Sequence, residues 1–317
     1  MSQIQTEPID AETQLGNPVP VISQRPVTLP APERGADLQL RVSMPISGEE
    51  LPLVIFSHGY GSSMDGYGPL ADHWAAHGLV VIQPTHLDSA TIGLMADDPR
   101  APLVWRHRID DLRRVLDQLD RVEAAVPALT DRLDRARVAA AGHSYGATSA
   151  SALLGARVLG PDGAPGEDMS DSRVRAGVLL CLAGTGGENL TAFAAEAFPF
   201  MNPSFATMRT ASLLVYGDQD QSQLSSRGPD WWTDGYTLSP GEKTLLTVFG
   251  ADHALGGIDA PSAGPHVQPE RLAQLALVQR MTTAYLRTAL EVDDKSWPAT
   301  TDALAQSPAP AGALQSR

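Results

Sequence analysis

Six short, almost uninterrupted apolar runs constrain the fold of this chain more than any other feature of its sequence. The runs are Leu51–Ser57, Gly78–Gln83, Val138–Gly142, Ala176–Ala183, Ala211–Tyr216 and Thr244–Phe249. Runs of this kind are typical of strands that are buried on both faces of a parallel sheet. An earlier stretch, residues 26–45, alternates apolar and polar residues around a Glu-Arg-Gly turn, which predicts a β-hairpin at the edge of the sheet.

Helical periodicity fills the intervals between these runs. In the clearest case, Arg106–Glu123, apolar residues recur at helical spacing and the charges are expected on the opposite face. Helices are also predicted over Gly68–His77, Ala147–Leu159 and Pro269–Leu290. Alternation of strands and helices implies βαβ crossovers, so the predicted class is α/β, with a mostly parallel central sheet flanked by helices.

One domain, residues 25–292, is expected to hold this whole pattern. The chain has 317 residues, and the body of the sequence shows no internal repeat and no break in composition. Residues 1–24 are polar and unpatterned, and we expect them to form an extended lead-in. Residues 293–317 are rich in Pro, Ala and Ser, and we expect them to form a disordered tail.

The charge balance and the cysteine count narrow the classes of partner. A net charge of −14 repels phosphate backbones and anionic lipid, which counts against nucleic-acid or membrane-surface binding. The single cysteine, Cys181, excludes an internal disulfide framework and a multi-cysteine metal site. No run approaches the roughly 18 apolar residues of a membrane span. With no signal peptide visible at the start, a cytoplasmic location is expected.

The strongest chemical signal is the G-x-S-x-G pentapeptide Gly142-His143-Ser144-Tyr145-Gly146. An apolar strand precedes it and a helix of small residues follows it, which is the context that a nucleophile elbow requires. Such a turn holds the Ser144 hydroxyl at the carboxyl edge of the sheet, and the Tyr145 N–H then points to where an oxyanion forms. An ordinary Gly-rich turn is the alternative, and the strand–turn–helix context favours the elbow.

A serine nucleophile needs a base and a third group that orients the base. Behind an elbow, the acid and then the histidine are expected in that order, each just after a strand. His253 directly follows the last strand pattern, whereas its rival His266 lies further into a Pro/Gly-rich loop. For the acid we favour Asp220, the third residue after Gly217, because it clears the strand end; Asp218 stays open as the alternative.

A second oxyanion donor is expected from the loop after an early strand. The segment 57–61, Ser-His-Gly-Tyr-Gly, is such a loop, and its Gly59 allows the Tyr60 N–H to face the N–H of Tyr145.

No metal or cofactor site is expected. His73 and His77 have the H-x-x-x-H spacing without the glutamate of a metalloprotease, and the chain carries neither a dinucleotide-binding glycine motif nor a P-loop.

Three loops are candidates for the substrate pocket. Leu94 lies in a long excursion before the clearest helix, and Phe198 lies in the segment 184–208, which is too short for a large lid domain. Trp231 and Trp232 could form an aromatic wall or staple their loop to the body. His143, next to the serine, is a further pocket candidate. The apolar character of these positions favours a hydrophobic acyl or aryl ester.

Taken together, these motifs resemble a known group of proteins. FSHGYGSSMDGYG, AGHSYGA, LLVYGDQD and TLLTVFGADHALGG look like the bacterial predicted dienelactone hydrolases, a group similar to chlorophyllase, platelet-activating-factor acetylhydrolase and cutinase-like polyester hydrolases. The resemblance covers roughly residues 26–290 and implies the α/β-hydrolase fold without a large lid domain. It implies Ser144 as nucleophile, Asp220 as acid, His253 as base, and the Tyr60 and Tyr145 amides as oxyanion donors. The cysteine nucleophile of true dienelactone hydrolases is absent here, so that name does not transfer as an activity.

The function that follows is a serine esterase. It would cleave a carboxylic ester of a small molecule through an acyl-enzyme, without nucleic acid, membrane span or cofactor. Two other functions stay open: an acyltransferase or biosynthetic cyclase that uses the same acyl-enzyme, and a catalytically dead binding module. A homodimer stays open as well.

Overall fold

The computed structural model describes residues 15–260 and 268–317, and within them it forms strands and helices in alternation. The strands are β1 (Val21–Leu29), β2 (Leu38–Pro45), β3 (Leu51–Ser57), β4 (Val80–Pro84), β5 (Leu133–His143), β6 (Arg157–Val158), β7 (Val174–Leu180), β8 (Pro203–Ser204), β9 (Ser212–Gly217), β10 (Lys243–Val248) and β11 (Gly312–Ser316). The helices are α1 (Gly68–Ala76), α2 (Val104–Asp117), α3 (Leu119–Ala125), α4 (Tyr145–Leu153), α5 (Ala192–Ala197), α6 (Asp234–Leu238), α7 (Pro269–Ala289) and α8 (Ser296–Gln306).

One sheet of nine strands forms the centre of the molecule, in the order β1-β2-β4-β3-β5-β7-β9-β10-β11. The six strands from β4 to β10 in this order are mutually parallel. The β1–β2 hairpin and β11 pair antiparallel at the two edges. The predicted α/β class and the mostly parallel sheet are confirmed, and the six apolar runs are its six parallel strands.

The apolar runs are continuous because both faces of the sheet are covered. Along β3, Leu53 and Ile55 belong to the core that contains the residues of α2, α3 and α4, whereas Val54 and Phe56 belong to the core that contains α1 and α7. Successive side chains of a strand point to opposite faces, so every position of such a strand must be apolar. Among the described helices, none combines the length and the hydropathy that crossing a bilayer requires.

Residues 293–317 form secondary structure and not the disordered tail that we expected. Residues 293–317 contain α8, which packs against α7, and β11, which pairs with β10 from Thr244 opposite Ser316 to Val248 opposite Gly312. Leu304 is 7% exposed and belongs to the core, so this segment buries apolar surface despite its Pro/Ala-rich composition. The expected lead-in is also shorter, because β1 begins at Val21; residues 1–14 lie outside the described residues.

The region predicted as one amphipathic helix over 106–123 differs from that prediction in two ways. It is two helices, α2 and α3, that meet at Gln118. Two charged residues, Arg108 and Asp111, lie on the buried face of α2, at 0% and 1% exposure, although the charges were expected on the outer face. Buried charges are tolerated where they are paired, and both have partners near the site described next.

Candidate active site

Ser144 occupies the sharp turn between β5 and α4. Its backbone has φ 56° and ψ −121°, which a non-glycine residue adopts at a cost of about 1–3 kcal/mol. A Cβ atom at Gly142 would collide with the carbonyl of Gly146, and one at Gly146 would collide with the carbonyl of Ser57. Both glycines are therefore required for the helix to approach the strands this closely, and the turn has the strained strand-to-helix form of a nucleophile elbow.

His253 and Asp220 follow β10 and β9 and contact one another. The His253 Nδ1 lies 2.7 Å from the Asp220 Oδ2, and the aspartate side chain is 2% exposed while the histidine is 43% exposed. A carboxylate only accepts hydrogen bonds, so the Nδ1 of His253 carries the proton and donates it. The Nε2 has no hydrogen-bond partner within residues 15–260 and 268–317 and keeps its lone pair for another group.

The other carboxylates near these strand ends have different partners. The Asp218 Oδ1 accepts the N–H of Gly250 at 2.7 Å, so Asp218 ties the loop after β9 to the loop after β10. Asp252 pairs with Arg271 at 3.0 Å on the surface. Of the two candidate acids, Asp220 is thus the one that contacts the imidazole. His266, the rival base, lies outside the described residues.

The two expected oxyanion donors lie at the ends of neighbouring elements. Tyr60 follows β3, Tyr145 opens α4, and their rings are 6.4 Å apart. Neither amide donates to a protein acceptor in the part of the chain that the structure describes. Unused N–H groups at the start of a helix and on an adjacent loop are what stabilises a developing oxyanion.

The loop that carries Tyr60 is held by a buried ion pair that the sequence analysis missed. Arg108 donates to the carbonyl oxygens of His58 (2.8 Å) and Gly59 (3.2 Å) and pairs with Asp88 through its Nε at 2.8 Å. Burial by itself would raise the pKa of Asp88, but Arg108 outweighs it and holds the pKa below its ordinary value. The signal was in the sequence: Arg108 lies on the apolar stripe of a predicted helix.

A second buried network lies behind this loop. His86 contacts Asp111 through Nδ1 (3.0 Å) and Ser57 Oγ through Nε2 (2.9 Å), and Arg34 lies 3.3 Å from the other Asp111 oxygen. Burial raises the pKa of Asp111 to about 7 and lowers the pKa of His86 well below its usual value. The network therefore connects β3, the loop after β4, α2 and the turn between β1 and β2.

His143 does not line the substrate pocket, where we expected it. It is 3% exposed, and both ring nitrogens are engaged: Nδ1 with the Tyr67 Oη and Nε2 with the His253 carbonyl, each at 2.9 Å.

His143, Cys181 and His253 bring their ligand atoms within 4.8 Å of one another. They do not fit a metal ion, because both nitrogens of His143 are bonded and burial raises the pKa of the Cys181 thiol, which keeps it protonated.

A cleft of about 510 Å³ opens beside Tyr60 and Tyr145. Its walls include Tyr60, Tyr145, Leu94, Phe198 and Phe200. The Phe200 ring stacks on the Tyr145 ring at 5.3 Å, and Phe198 meets Tyr60 edge-on at 6.3 Å. Leu94 and Phe198, two of the candidate pocket residues, both line this cleft, and most of its wall is apolar. In the described part of the chain, the segment between β7 and β9 holds only α5, β8 and short turns, so it forms no large lid domain.

The two adjacent tryptophans lie behind the site, not in the wall of the cleft. Trp231 is fully buried and donates its indole N–H to the Thr185 carbonyl at 2.9 Å, so it staples its loop to the body. Trp232 is 4% exposed and donates to the Asp220 carbonyl at 2.9 Å, with its ring 5.1 Å from the ring of His253. Its place beside the Asp220–His253 pair corrects the pocket assignment.

The sheet order, the strained serine turn and the positions of Asp220 and His253 after late strands define an α/β-hydrolase fold. The comparisons with known proteins agree with it. The family model of platelet-activating factor acetylhydrolase, isoform II, matches residues 37–116. A platelet-activating factor acetylhydrolase of Cavia porcellus is 26% identical over 169 residues, which is 42% of this chain and 35% of the relative.

The chain thus spans about a third of the length of the curated relative that it matches. The family match runs from just before β2 to near the end of α2, so it contains Tyr60, Asp88 and Arg108, while Ser144, Asp220 and His253 lie beyond it. The predicted similarity to the platelet-activating-factor acetylhydrolases is confirmed over the matched residues.

Proposed function

We propose that this protein is a serine hydrolase that cleaves a carboxylic ester through an acyl-enzyme. The observation that carries the proposal is the 2.7 Å contact between the His253 Nδ1 and the buried Asp220, at the sheet edge where Ser144 occupies its strained turn. A buried carboxylate holds one imidazole tautomer and stabilises the imidazolium that forms when the ring takes a proton. The similarity to acetylhydrolases supports the same reaction class.

In the proposed mechanism, the Ser144 Oγ attacks the ester carbonyl and its proton passes to the His253 Nε2. The amides of Tyr60 and Tyr145 donate to the oxyanion of the tetrahedral intermediate. When the intermediate collapses, the imidazolium of His253 returns the proton to the leaving alcohol, and Ser144 keeps the acyl group. Water, activated by the same imidazole, then adds to the acyl-enzyme and releases the acid.

The walls of the cleft support a hydrophobic acyl or aryl ester as the substrate class. Leu94, Phe198 and Phe200 offer apolar surface beside the amides of Tyr60 and Tyr145, and apolar surface buried on binding contributes roughly 25 cal/mol per Å². Among the described residues, the only charged side chains that line this cleft are Asp88 and Glu196. Both are acidic and would repel a phosphate group, which disfavours a phosphorylated substrate.

The decisive test is hydrolysis of p-nitrophenyl esters of graded acyl length by the protein and by Ser144→Ala. We expect turnover that peaks at one acyl length and falls by about three orders of magnitude or more in Ser144→Ala, because the covalent step is lost. Ser149→Ala serves as the matched control, since the Ser149 hydroxyl bonds the Tyr145 carbonyl one turn further along α4.

A fluorophosphonate separates the remaining alternatives. Labelling of the protein but not of Ser144→Ala supports the nucleophile, and its absence supports the dead binding module. In a separate ester assay with the unlabelled protein, the acyltransferase is favoured over the hydrolase if the acyl group goes mainly to an added alcohol or amine in competition with water.

A further inference from the structure

Tyr67 occupies a position between the loop of Tyr60 and the loop of His253. It is 2% exposed, precedes α1, and its hydroxyl oxygen accepts the Gly59 N–H at 2.9 Å. The same oxygen lies 2.9 Å from the Nδ1 of His143, whose Nε2 lies 2.9 Å from the His253 carbonyl. A continuous chain of three hydrogen bonds therefore runs from the residue before Tyr60 to the backbone of His253.

Each hydrogen bond in this chain has a definite direction. The His253 carbonyl only accepts, so the Nε2 of His143 carries the ring proton, and the Nδ1 of the neutral ring accepts the proton of the Tyr67 hydroxyl. Burial lowers the pKa of His143 to about 3, so the ring stays neutral at ordinary pH. Burial also raises the pKa of the Tyr67 hydroxyl, which keeps its proton.

We propose that Tyr67 and His143 are positioning residues that hold the Tyr60 amide and the His253 imidazole in register with Ser144. The proposal rests on the proposed function. His143 is the neighbour of Ser144 in the chain, its ring lies 4.7 Å from the ring of His253, and Tyr67 connects it to the backbone before Tyr60. One buried pair of side chains thus touches all three segments that carry the proposed reaction. A misplacement of either end weakens contacts that form in the transition state.

The backbone of Gly59 approaches the Tyr67 hydroxyl more closely than a residue with a Cβ atom could. A Cβ atom at Gly59 would lie 2.7 Å from the Tyr67 Oη and 3.5 Å from the His143 Nδ1. Glycine at this position lets the backbone approach the tyrosine closely enough for the hydrogen bond, so the loop sequence and the tyrosine are matched to one another.

The first test is Tyr67→Phe, which removes the hydroxyl and keeps the ring. We expect kcat to fall about 10-fold to 100-fold while KM stays within about twofold, because the orientation of the amide matters in the transition state more than in substrate binding. Tyr285→Phe is the matched control: Tyr285 lies in α7 against Trp297, and burial raises its pKa as well. Its kcat should equal that of the unaltered protein.

The second test compares His143→Gln with His143→Leu. The glutamine amide has a donor to offer near the position of Nε2, whereas leucine has none, so we expect the glutamine variant to retain at least about ten times the kcat of the leucine variant. Rates are normalised to the serines that a fluorophosphonate labels, so that a misfolded fraction does not lower the measured kcat.

The outcomes separate the two proposals. Unchanged kcat in Tyr67→Phe, or equal kcat in His143→Gln and His143→Leu, overturns the positioning role while the esterase stands. A fluorophosphonate that fails to label the unaltered protein overturns the proposed function and the positioning role together.

Discussion

Asp218 and Asp220 are two positions apart in one turn, and the contacts of their carboxylates differ. Asp220 is buried against His253 and Trp232, whereas Asp218 accepts a backbone N–H from the next loop. The sequence ranked Asp220 first from its distance to the end of the strand. The contact with His253 distinguishes the two carboxylates, and the proposed role of Asp220 rests on it.

At the residue scale, we expect Asp220→Asn to lower kcat by about four orders of magnitude, because the amide no longer holds the required imidazole tautomer. Asp218→Asn is the control, and its kcat should stay within a few-fold of the unaltered protein, since its carboxylate accepts the Gly250 N–H and is not the group bonded to the His253 imidazole. The measurement is kcat on the best p-nitrophenyl ester, and a larger loss in Asp218→Asn would reverse the assignment.

At the scale of elements, the sequence composition did not predict β11, which lies in a segment that we expected to be disordered. It adds an edge strand to β10, the strand that leads into the loop of His253. One residue beyond β11, Arg317 exchanges a reciprocal pair of backbone hydrogen bonds with Lys243 of β10, at 3.1 and 3.0 Å. Main-chain pairing requires no apolar periodicity, so a sequence rich in Pro, Ala and Ser still forms a short edge strand when a partner strand is available.

A chain that ends at Gln306 tests whether β11 stabilises the fold. We expect the free energy of unfolding in urea to fall by about 2–5 kcal/mol, because several backbone hydrogen bonds of about 1 kcal/mol each and the cover of β10 are lost. Gln315→Ala, a substitution at an exposed position of β11, is the control and should change it by less than about 0.5 kcal/mol. Equal stability of the shortened and full chains would indicate that the tail contributes nothing.

At the scale of the whole molecule, several histidines are kept neutral by burial. The pKa of His58, of His73 and of His143 is lowered to about 3, mainly by desolvation, and that of His86 is lowered as well. The unfolded chain takes up protons at these residues below about pH 6.5, whereas the fold does not. Their contribution to stability is therefore complete above pH 6.5 and is lost as the pH falls toward 3. Asp111, whose pKa is raised to about 7, acts in the opposite sense.

We therefore expect the free energy of unfolding to fall between pH 6 and pH 4 with a slope of about three protons, or roughly 4 kcal/mol per pH unit. Urea unfolding at half-unit steps of pH measures the slope. His73→Gln should lower this slope by about one proton, because glutamine does not titrate while its side chain can still bond Thr283 on α7. A slope near zero in the unaltered protein would contradict the neutral state of these histidines.

Much of the site was predictable because its signals are local. The elbow is encoded by neighbouring residues, since two glycines and a serine between a strand and a helix suffice to specify the turn. The order of strands, acid and histidine along the chain follows from the same fold class. The buried charges of α2 were missed because helical periodicity describes the average character of a helix face and not each of its residues. Arg108 is a charged residue on the apolar face, and its burial is explained only by its contacts in the folded protein.

What the sequence by itself determined is therefore the parallel sheet, the serine turn and the loops that would carry the acid and the base. Only the tertiary structure decided which carboxylate contacts His253, that Arg108 holds the Tyr60 loop, that His143 lies inside the molecule and that the carboxyl end completes the sheet. The physical reason is the separation along the chain of the residues that determine each feature. Strand patterns and tight turns depend on neighbouring residues, whereas the contact of His143 with His253 joins positions 110 residues apart, and no local pattern encodes which buried polar groups meet.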